Sequence, residues 1–108
     1  MKLNLEHIYK KGINLNHLGI TAYAYSYSVI TDLLAIVQAN NLTILGGDVF
    51  CYENAQLTHT YDNWHYEKQD PTSDCSKSIL QTEKYIRDYV KNHGEHYYFS
   101  IVLEEPID

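Results

Sequence analysis

Hydrophobic residues recur at helical spacing in two long stretches of the chain. The first spans residues 22–40, and its apolar positions form one stripe: Val29, Ile30, Leu33, Leu34 and Val37. The second follows a loop at residues 70–74 and runs to about residue 92, with an inner stripe of Ile79, Thr82, Ile86 and Val90. Spacing of three and four residues is typical of a helix that buries one face. The pattern therefore predicts two main helices.

The ends of these helices and the segment before them also carry signals. A shorter helix is predicted over residues 3–11, ended by Gly12. Residues 13–20 are predicted to be a connector. Ser73 or Asp74 is placed to cap the second main helix, because either side chain can accept a hydrogen bond from its first free amides.

The hydrophobic period changes from helical to alternating near residue 43, which indicates β-structure. Residues 43–52 are predicted to form a strand with a bulge or a close backbone approach at Gly46 and Gly47. After a turn, residues 57–61 form the next strand, and residues 64–68 either continue it or form a third. We expect antiparallel pairing, because the connections are too short for crossovers.

The last predicted strand covers residues 96–103 and alternates between two faces. One set of side chains faces the same way: Tyr97, Phe99, Ile101 and Leu103. The predicted fold class is α+β, a single domain over residues 1–108 in which two main helices pack on a small, mainly antiparallel sheet of three to four strands. Val49 and Trp64 are expected on neighbouring strands, with the residue 29–37 stripe packed on that sheet.

Composition and charge narrow the class of partner. The 108 residues are 44% hydrophobic and 20% charged, which is typical of a globular domain. The net charge is −6, and residues 55–108 contribute −5 of it. Because no concentrated basic region is present, we expect no binding to nucleic acid or to an anionic membrane surface. This acidity either serves solubility alone or suits a basic protein partner.

Targeting signals are not apparent. No apolar run approaches the roughly 20 residues that cross a bilayer. The first residues lack the apolar core and cleavage site of a signal peptide. The sequence therefore predicts a cytoplasmic protein with reduced thiols.

The metal-binding residue types are present but scattered. Cys51, His59 and His65 could converge across the predicted strands, yet nothing in their spacing requires it. His93 and His96 span a helix end and a strand start, where no single face presents them. We therefore predict no metal and no cofactor.

Catalytic motifs are equally sparse. Cys51 and Cys75 have no surrounding signature, and no serine lies in a Gly-x-Ser-x-Gly elbow. Asp48, Asp62 and His65 could form a small hydrolase site if the strands brought them together, which is a weak signal. The prediction is that the protein is not an enzyme.

Residues 61–67 are the most informative segment, because they mix polar groups with large aromatic ones near a predicted turn. Trp64 is the only tryptophan among 108 residues, 11 of which are tyrosines. A tryptophan in such surroundings either anchors the sheet or forms a contact hot spot on the surface. The sequence leaves both interpretations open.

The same region carries a resemblance to a known family. The residues concerned share an order along the chain: Gly46, Gly47, Asp48, Tyr61, Asp62, Asn63, Trp64, Ser78, Tyr85 and Ile86. With this pattern, which extends over nearly the whole chain, the sequence resembles the immunity protein 40 family of bacterial polymorphic toxin systems. The resemblance implies a small intracellular protein that neutralises a cognate toxin by binding it rather than by chemistry.

The resemblance and the acidic, aromatic composition together give a candidate toxin-contact surface. Its members are Asp48, Tyr61, Asp62, Asn63, Trp64 and Glu67. The alternative function is a small-molecule or protein-binding module with a pocket near Trp64. A toxin encoded beside the chain would favour the first, and a ligand retained through purification would favour the second.

Overall fold

Strands and helices account for most of the residues that the computed structural model describes, which are 10–20 and 22–104. In chain order the elements are β1 (Ile13–Asn14), a 3-10 turn (Asn16–Leu18), β2 (Tyr23–Ser26), α1 (Tyr27–Ala39), β3 (Thr43–Glu53), β4 (Gln56–His65), α2 (Asp74–His93), β5 (Tyr97–Ser100) and β6 (Val102–Glu104). The helix predicted over residues 3–11 lies outside the described residues, apart from residues 10 and 11.

One antiparallel sheet runs in the order β1-β2-β5-β3-β4, and β6 pairs with β3 further along from β5. This confirms the α+β class, the antiparallel pairing and the two main helices. The predicted number of strands is wrong, since the described residues form six strands rather than three to four. The additional strands are the short ones, β1, β2 and β6.

Strand β2 lies where the sequence predicts the start of the first helix. It pairs with β5, and α1 begins only after Ser26, whose backbone is extended. Ala24 and Tyr25 are both buried, one in each of two hydrophobic clusters on opposite faces of the sheet. Because both faces are covered, the strand lacks the apolar–polar alternation that would distinguish it from a helix.

The main core lies between the helices and one face of the sheet. Helix α1 contributes the predicted stripe, with Val29 only partly buried: Ile30, Leu33, Leu34 and Val37. Helix α2 contributes Ile79 and Ile86, and the sheet contributes Val49 and Phe99, which are completely buried. Val49 and Trp64 lie on the neighbouring strands β3 and β4, as predicted.

A smaller core covers part of the opposite face. The segment around β1 packs Leu15 against Phe50 and Leu57, and the ring of His17 lies with Nε2 2.7 Å from the Leu57 carbonyl oxygen. The predicted connector at residues 13–20 is thus a strap across the sheet. Beyond it, the end of the sheet towards the second half of β4 carries more exposed side chains, and the candidate site lies there.

The last predicted strand is divided in two. Strand β5 ends at Ser100, Ile101 interrupts the ladder, and β6 resumes beside β3 with a shift in register between Ile44 and Gly46. The prediction that four side chains of this segment face the same way is nevertheless correct. All four pack in the main core: Tyr97, Phe99, Ile101 and Leu103.

Candidate functional site

A bulge with two additional residues on β4 interrupts the pairing of β3 with β4. Asp48 pairs with Asn63 and Phe50 pairs with His59, so three residues of β4 lie opposite Val49 alone. We call residues 60–62 the β4 bulge. Strand β4 is continuous through it, so residues 57–61 and the residues from 64 onwards belong to one strand. The predicted end at residue 68 is wrong, because β4 ends at His65. Because β4 ends the sheet order, the bulge lies at a sheet edge.

Hydrogen bonds between side chains and nearby backbone groups hold the β4 bulge in place. The Thr60 hydroxyl donates to the Val49 carbonyl oxygen at 2.9 Å and accepts from the Asp62 amide at 3.1 Å. The Tyr61 amide donates to His59 Nδ1 at 2.9 Å. These bonds supply partners for backbone groups that the interrupted ladder leaves unpaired.

Tyr61 occupies the centre of the bulge in an unusual conformation. Its φ of 71° lies in the left-handed region that non-glycine residues rarely adopt. The side chain is 83% exposed, and its ring stacks on that of His59 with 5.1 Å between ring centroids. The structure thus presents a large aromatic side chain to solvent from a backbone whose orientation is fixed.

Carboxylates lie on either side of this tyrosine. Asp62 Oδ2 accepts a hydrogen bond of 2.7 Å from the hydroxyl of Tyr89 in α2. Asp48 Oδ1 lies 3.7 Å from Nε2 of His59, on the face away from the helices. The sequence contains no lysine or arginine between residues 12 and 67, so no such side chain of strands β1–β4 offsets this acidity.

The predicted contact residues separate into three groups. Asp48, Tyr61, Asp62 and Asn63 lie in or beside the bulge, with Asp48 on the face of the sheet away from the helices and Asp62 directed towards α2. Glu67 is exposed but lies past the end of β4. Trp64 belongs to the main core.

Trp64 is only 7% exposed and lies in the main hydrophobic core, which favours the interpretation of a sheet anchor. Its ring stacks on Tyr85 of α2 at 4.8 Å between centroids, and its indole N–H donates to the Thr82 hydroxyl at 3.1 Å. The tryptophan therefore anchors β4 to α2 just after the bulge on the same strand.

The two glycines of β3 make this anchor possible. A Cβ at Gly47 would collide with the Trp64 ring and with the Ser100 carbonyl oxygen. Gly46 has a φ of +147°, and a Cβ there would meet the Trp64 carbonyl oxygen. The close backbone approach predicted for this pair is confirmed.

Ser78 and Asp74 hold α2 and the preceding loop. The Ser78 hydroxyl accepts from the Ile44 amide and donates to the Cys75 carbonyl oxygen, both at 2.9 Å. Asp74 does not cap the helix as predicted, and the Ser73 side chain makes no cap bond either.

Instead, Asp74 organises the loop before α2. Its Oδ1 accepts from the Gln69 and Asp70 amides and from the Tyr66 hydroxyl. These interactions hold the pKa of Asp74 below its usual value, and the hydrogen bond from the Gln69 backbone amide has the largest effect.

The residues considered for metal binding and hydrolysis do not converge. His59 pairs with Phe50 and Cys51 pairs with Thr58, so His59 and Cys51 project from opposite faces of the sheet. Within residues 10–20 and 22–104, no group of three His, Cys, Asp or Glu side chains could hold a metal ion.

The three hydrolase candidates are equally separated. Asp48 lies beside His59, Asp62 is directed towards α2, and His65 pairs with Gly46 further along β4. A carboxylate pair with a histidine between them is therefore not assembled.

Three surface cavities, of about 330, 370 and 490 Å³, bear on the alternative of a binding pocket near Trp64. The first lies between α1 and α2, the second along α2 beside Tyr85 and Tyr89, and the third near Tyr52 and His96. Trp64 lines none of these three, although its stacking partner Tyr85 lines the second.

Sequence reasoning missed the bulge and the contribution of Tyr89. The bulge adds two residues to β4 relative to β3, and an even number leaves the alternation of side chains unchanged. The hydrophobic pattern therefore carries no signal of it. The Tyr89–Asp62 bond joins residues 27 positions apart, and no local pattern specifies such a bond.

Comparison with known proteins gave one match. A family model described as Immunity protein 40 matches residues 14–103, a span that includes the bulge and its surroundings. Searches of the curated proteins and of the solved structures found no match. In the described part of the chain, neither helix has the length and apolar character needed to span a membrane.

Proposed function

Because the chain belongs to the immunity protein 40 family, we propose that it binds and neutralises a cognate bacterial toxin without catalysis. The single observation that carries this function is the match over residues 14–103. The separation of the hydrolase candidates and of the metal-ligand candidates agrees with a binding role, because neither set forms a reaction centre.

The proposed toxin-contact surface is built around the β4 bulge. It comprises Asp48, Tyr61, Asp62 and Asn63, with Glu67 at its border. An exposed tyrosine on a fixed backbone gives a large contact area at a small entropic cost. The carboxylates beside it suit a partner with a basic surface, since charge complementarity accelerates association and fixes orientation.

Trp64 supports this surface from beneath. Its stacking on Tyr85 and its hydrogen bond to Thr82 join β4 to α2. We propose that neutralisation is steric occlusion of the toxin, with Trp64 acting through the fold rather than through contact.

The same proposal places the protein in the cytoplasm with a protein partner, without a role for nucleic acid, membrane or cofactor. The net charge of −6 supports the exclusion of nucleic acid, because phosphate backbones repel an acidic surface.

Co-expression with the toxin encoded beside this chain tests the proposal. We expect wild-type protein to restore growth, and Tyr61→Gly combined with Asp62→Lys to fail while remaining folded. Asp32→Lys on α1 is the matched control, since it makes the same charge change on an exposed residue outside the surface. Growth arrest in the presence of abundant folded wild-type protein would contradict the proposed function.

A further inference from the structure

The position of the Tyr89 ring is determined by the core around it. Tyr89 is 9% exposed, and its ring packs edge-on against Tyr97 and Phe99 at centroid distances of 5.1 and 5.9 Å. His93, one turn later in α2, lies 4.3 Å away between centroids. A ring held on several sides leaves its hydroxyl little freedom, so the hydroxyl is a fixed point on α2.

That fixed hydroxyl lies against two side chains of the bulge, those of Asp62 and Thr60. It donates to Asp62 Oδ2 at 2.7 Å, a distance typical of a strong charge-assisted hydrogen bond. Burial, with a further contribution from Asp62, raises the pKa of Tyr89, so the hydroxyl keeps its proton and remains a donor.

The bond differs in kind from the others at the bulge. The bonds that Thr60 makes with Val49 and Asp62, and that His59 makes with Tyr61, are local to strands β3 and β4, and they fix the backbone of the bulge relative to the sheet. The Tyr89 bond joins the bulge to another layer of the fold. It therefore fixes the direction of the Asp62 carboxylate, which the local bonds leave free to rotate.

We propose that Tyr89 is a positioning residue for toxin binding: its hydroxyl holds Asp62, and through Asp62 the β4 bulge, in the conformation that the toxin recognises. The inference rests on the proposed function for its biological meaning. Preorganisation of this kind lowers the entropic cost of association and appears mainly as slower dissociation.

Tyr89→Phe tests the inference by removing one oxygen atom and keeping the ring. Against the toxin encoded beside the chain, we expect the Kd to rise about tenfold, as for loss of a hydrogen bond to a charged group. The matched control is Tyr27→Phe, which removes a hydroxyl on α1, outside the proposed surface, and leaves the Tyr89–Asp62 bond intact. It is expected to bind as wild type does.

A double-mutant cycle separates positioning from general loss of structure. In an Asp62→Ala background, Tyr89→Phe should have no further effect on Kd, because its action passes through the Asp62 carboxylate. A tenfold loss that persists in this background would overturn the inference. So would unchanged affinity of the single Tyr89→Phe variant.

Amide exchange in the free protein gives a readout that needs no toxin. The Asp62 amide is bonded to the Thr60 hydroxyl, and Tyr89→Phe should accelerate its exchange about tenfold while the amides of α1 stay unchanged. Unchanged exchange at Asp62 would show that the bond does not hold the bulge. If wild-type protein fails to bind the toxin at all, the proposed function is wrong, and this exchange measurement still decides whether Tyr89 positions the bulge.

Discussion

At the scale of single residues, Tyr61 combines high exposure with a left-handed backbone. Such a conformation costs about 1 kcal/mol or more for a non-glycine residue, and it persists only where the surroundings impose it. Here the bonds made by Thr60 and His59 impose it. A strained, exposed aromatic residue is poorly explained by folding alone, and this is why it forms the centre of the proposed contact surface.

Replacing Tyr61 with glycine separates folding from binding. Glycine adopts positive φ without strain, so Tyr61→Gly should leave the free energy of unfolding unchanged or raise it by up to about 1 kcal/mol. Toxin binding should weaken by about 2 kcal/mol or more if the ring is a hot spot. Denaturant unfolding and calorimetric titration on the same variant measure both. Tyr61→Phe is the control that keeps the ring, and wild-type affinity of Tyr61→Gly would remove Tyr61 from the surface.

Trp64 should behave in the opposite way. Because its ring is buried against Tyr85 and Gly47, Trp64→Ala should cost about 3–5 kcal/mol of folding stability. Tyr52→Ala, at a residue that is 52% exposed, should change stability by less than about 1 kcal/mol. Chemical denaturation provides the comparison. A Trp64→Ala protein with wild-type stability and lost toxin binding would return Trp64 to the contact surface.

At the scale of elements, the loop before α2 depends on one carboxylate. Asp74 Oδ1 accepts hydrogen bonds from two backbone amides and from the Tyr66 hydroxyl. The hydrogen bond from the Gln69 amide is the main reason that the pKa of Asp74 is lowered. A carboxyl group whose pKa is lower in the folded state stabilises the fold above its unfolded pKa of about 4. That contribution is lost as the pH falls through the lower, folded pKa.

Asp74→Asn should therefore reduce the melting temperature at pH 7, and the difference from wild type should shrink as the pH falls below about 4. Thermal unfolding between pH 7 and pH 2.5 measures this. Asp88→Asn alters an exposed pair with Lys84 on the same helix and serves as control. A difference that stays constant over the whole pH range would show that Asp74 does not act through its charge.

The elements also show which parts of the fold the sequence encodes locally. The helix stripes were predictable because one face of α1 and of α2 is apolar and the other is polar. Strand β2 was not, because Ala24 and Tyr25 are buried on opposite faces and lose the alternating pattern. The glycine pair was predictable because close approach of two backbones needs a residue without Cβ. The β4 bulge was not, because its two added residues keep the alternation of side chains between the two faces and so do not change the hydrophobic pattern.

At the scale of the whole molecule, charge is unevenly distributed. Residues 12–67 contain no lysine or arginine, and four of the eight basic residues lie on α2: Lys77, Lys84, Arg87 and Lys91. Two of these are paired within the helix, Lys84 with Asp88 and Arg87 with Glu83. The β3–β4 side of the molecule is therefore the acidic side, and it would approach a basic partner first.

Association kinetics should reflect this distribution. Asp48→Lys should slow toxin association by about tenfold at low ionic strength, and the effect should decrease as salt screens the charges. Stopped-flow measurements at two salt concentrations test this, with Asp32→Lys as a control that makes the same change in net charge. Equal slowing by both variants would mean that net charge, rather than the surface at the bulge, guides association.

Binding of a toxin to the surface built on the β4 bulge can be located by amide hydrogen exchange, measured with and without the toxin domain encoded beside this chain. We expect the toxin to protect amides of residues 56–67 and of the adjoining part of β3 around Asp48. Exchange along the exposed face of α2, where Leu80 is 66% exposed, should stay unchanged. Protection centred on that face of α2, with none at residues 60–63, would show that the toxin does not bind at the bulge.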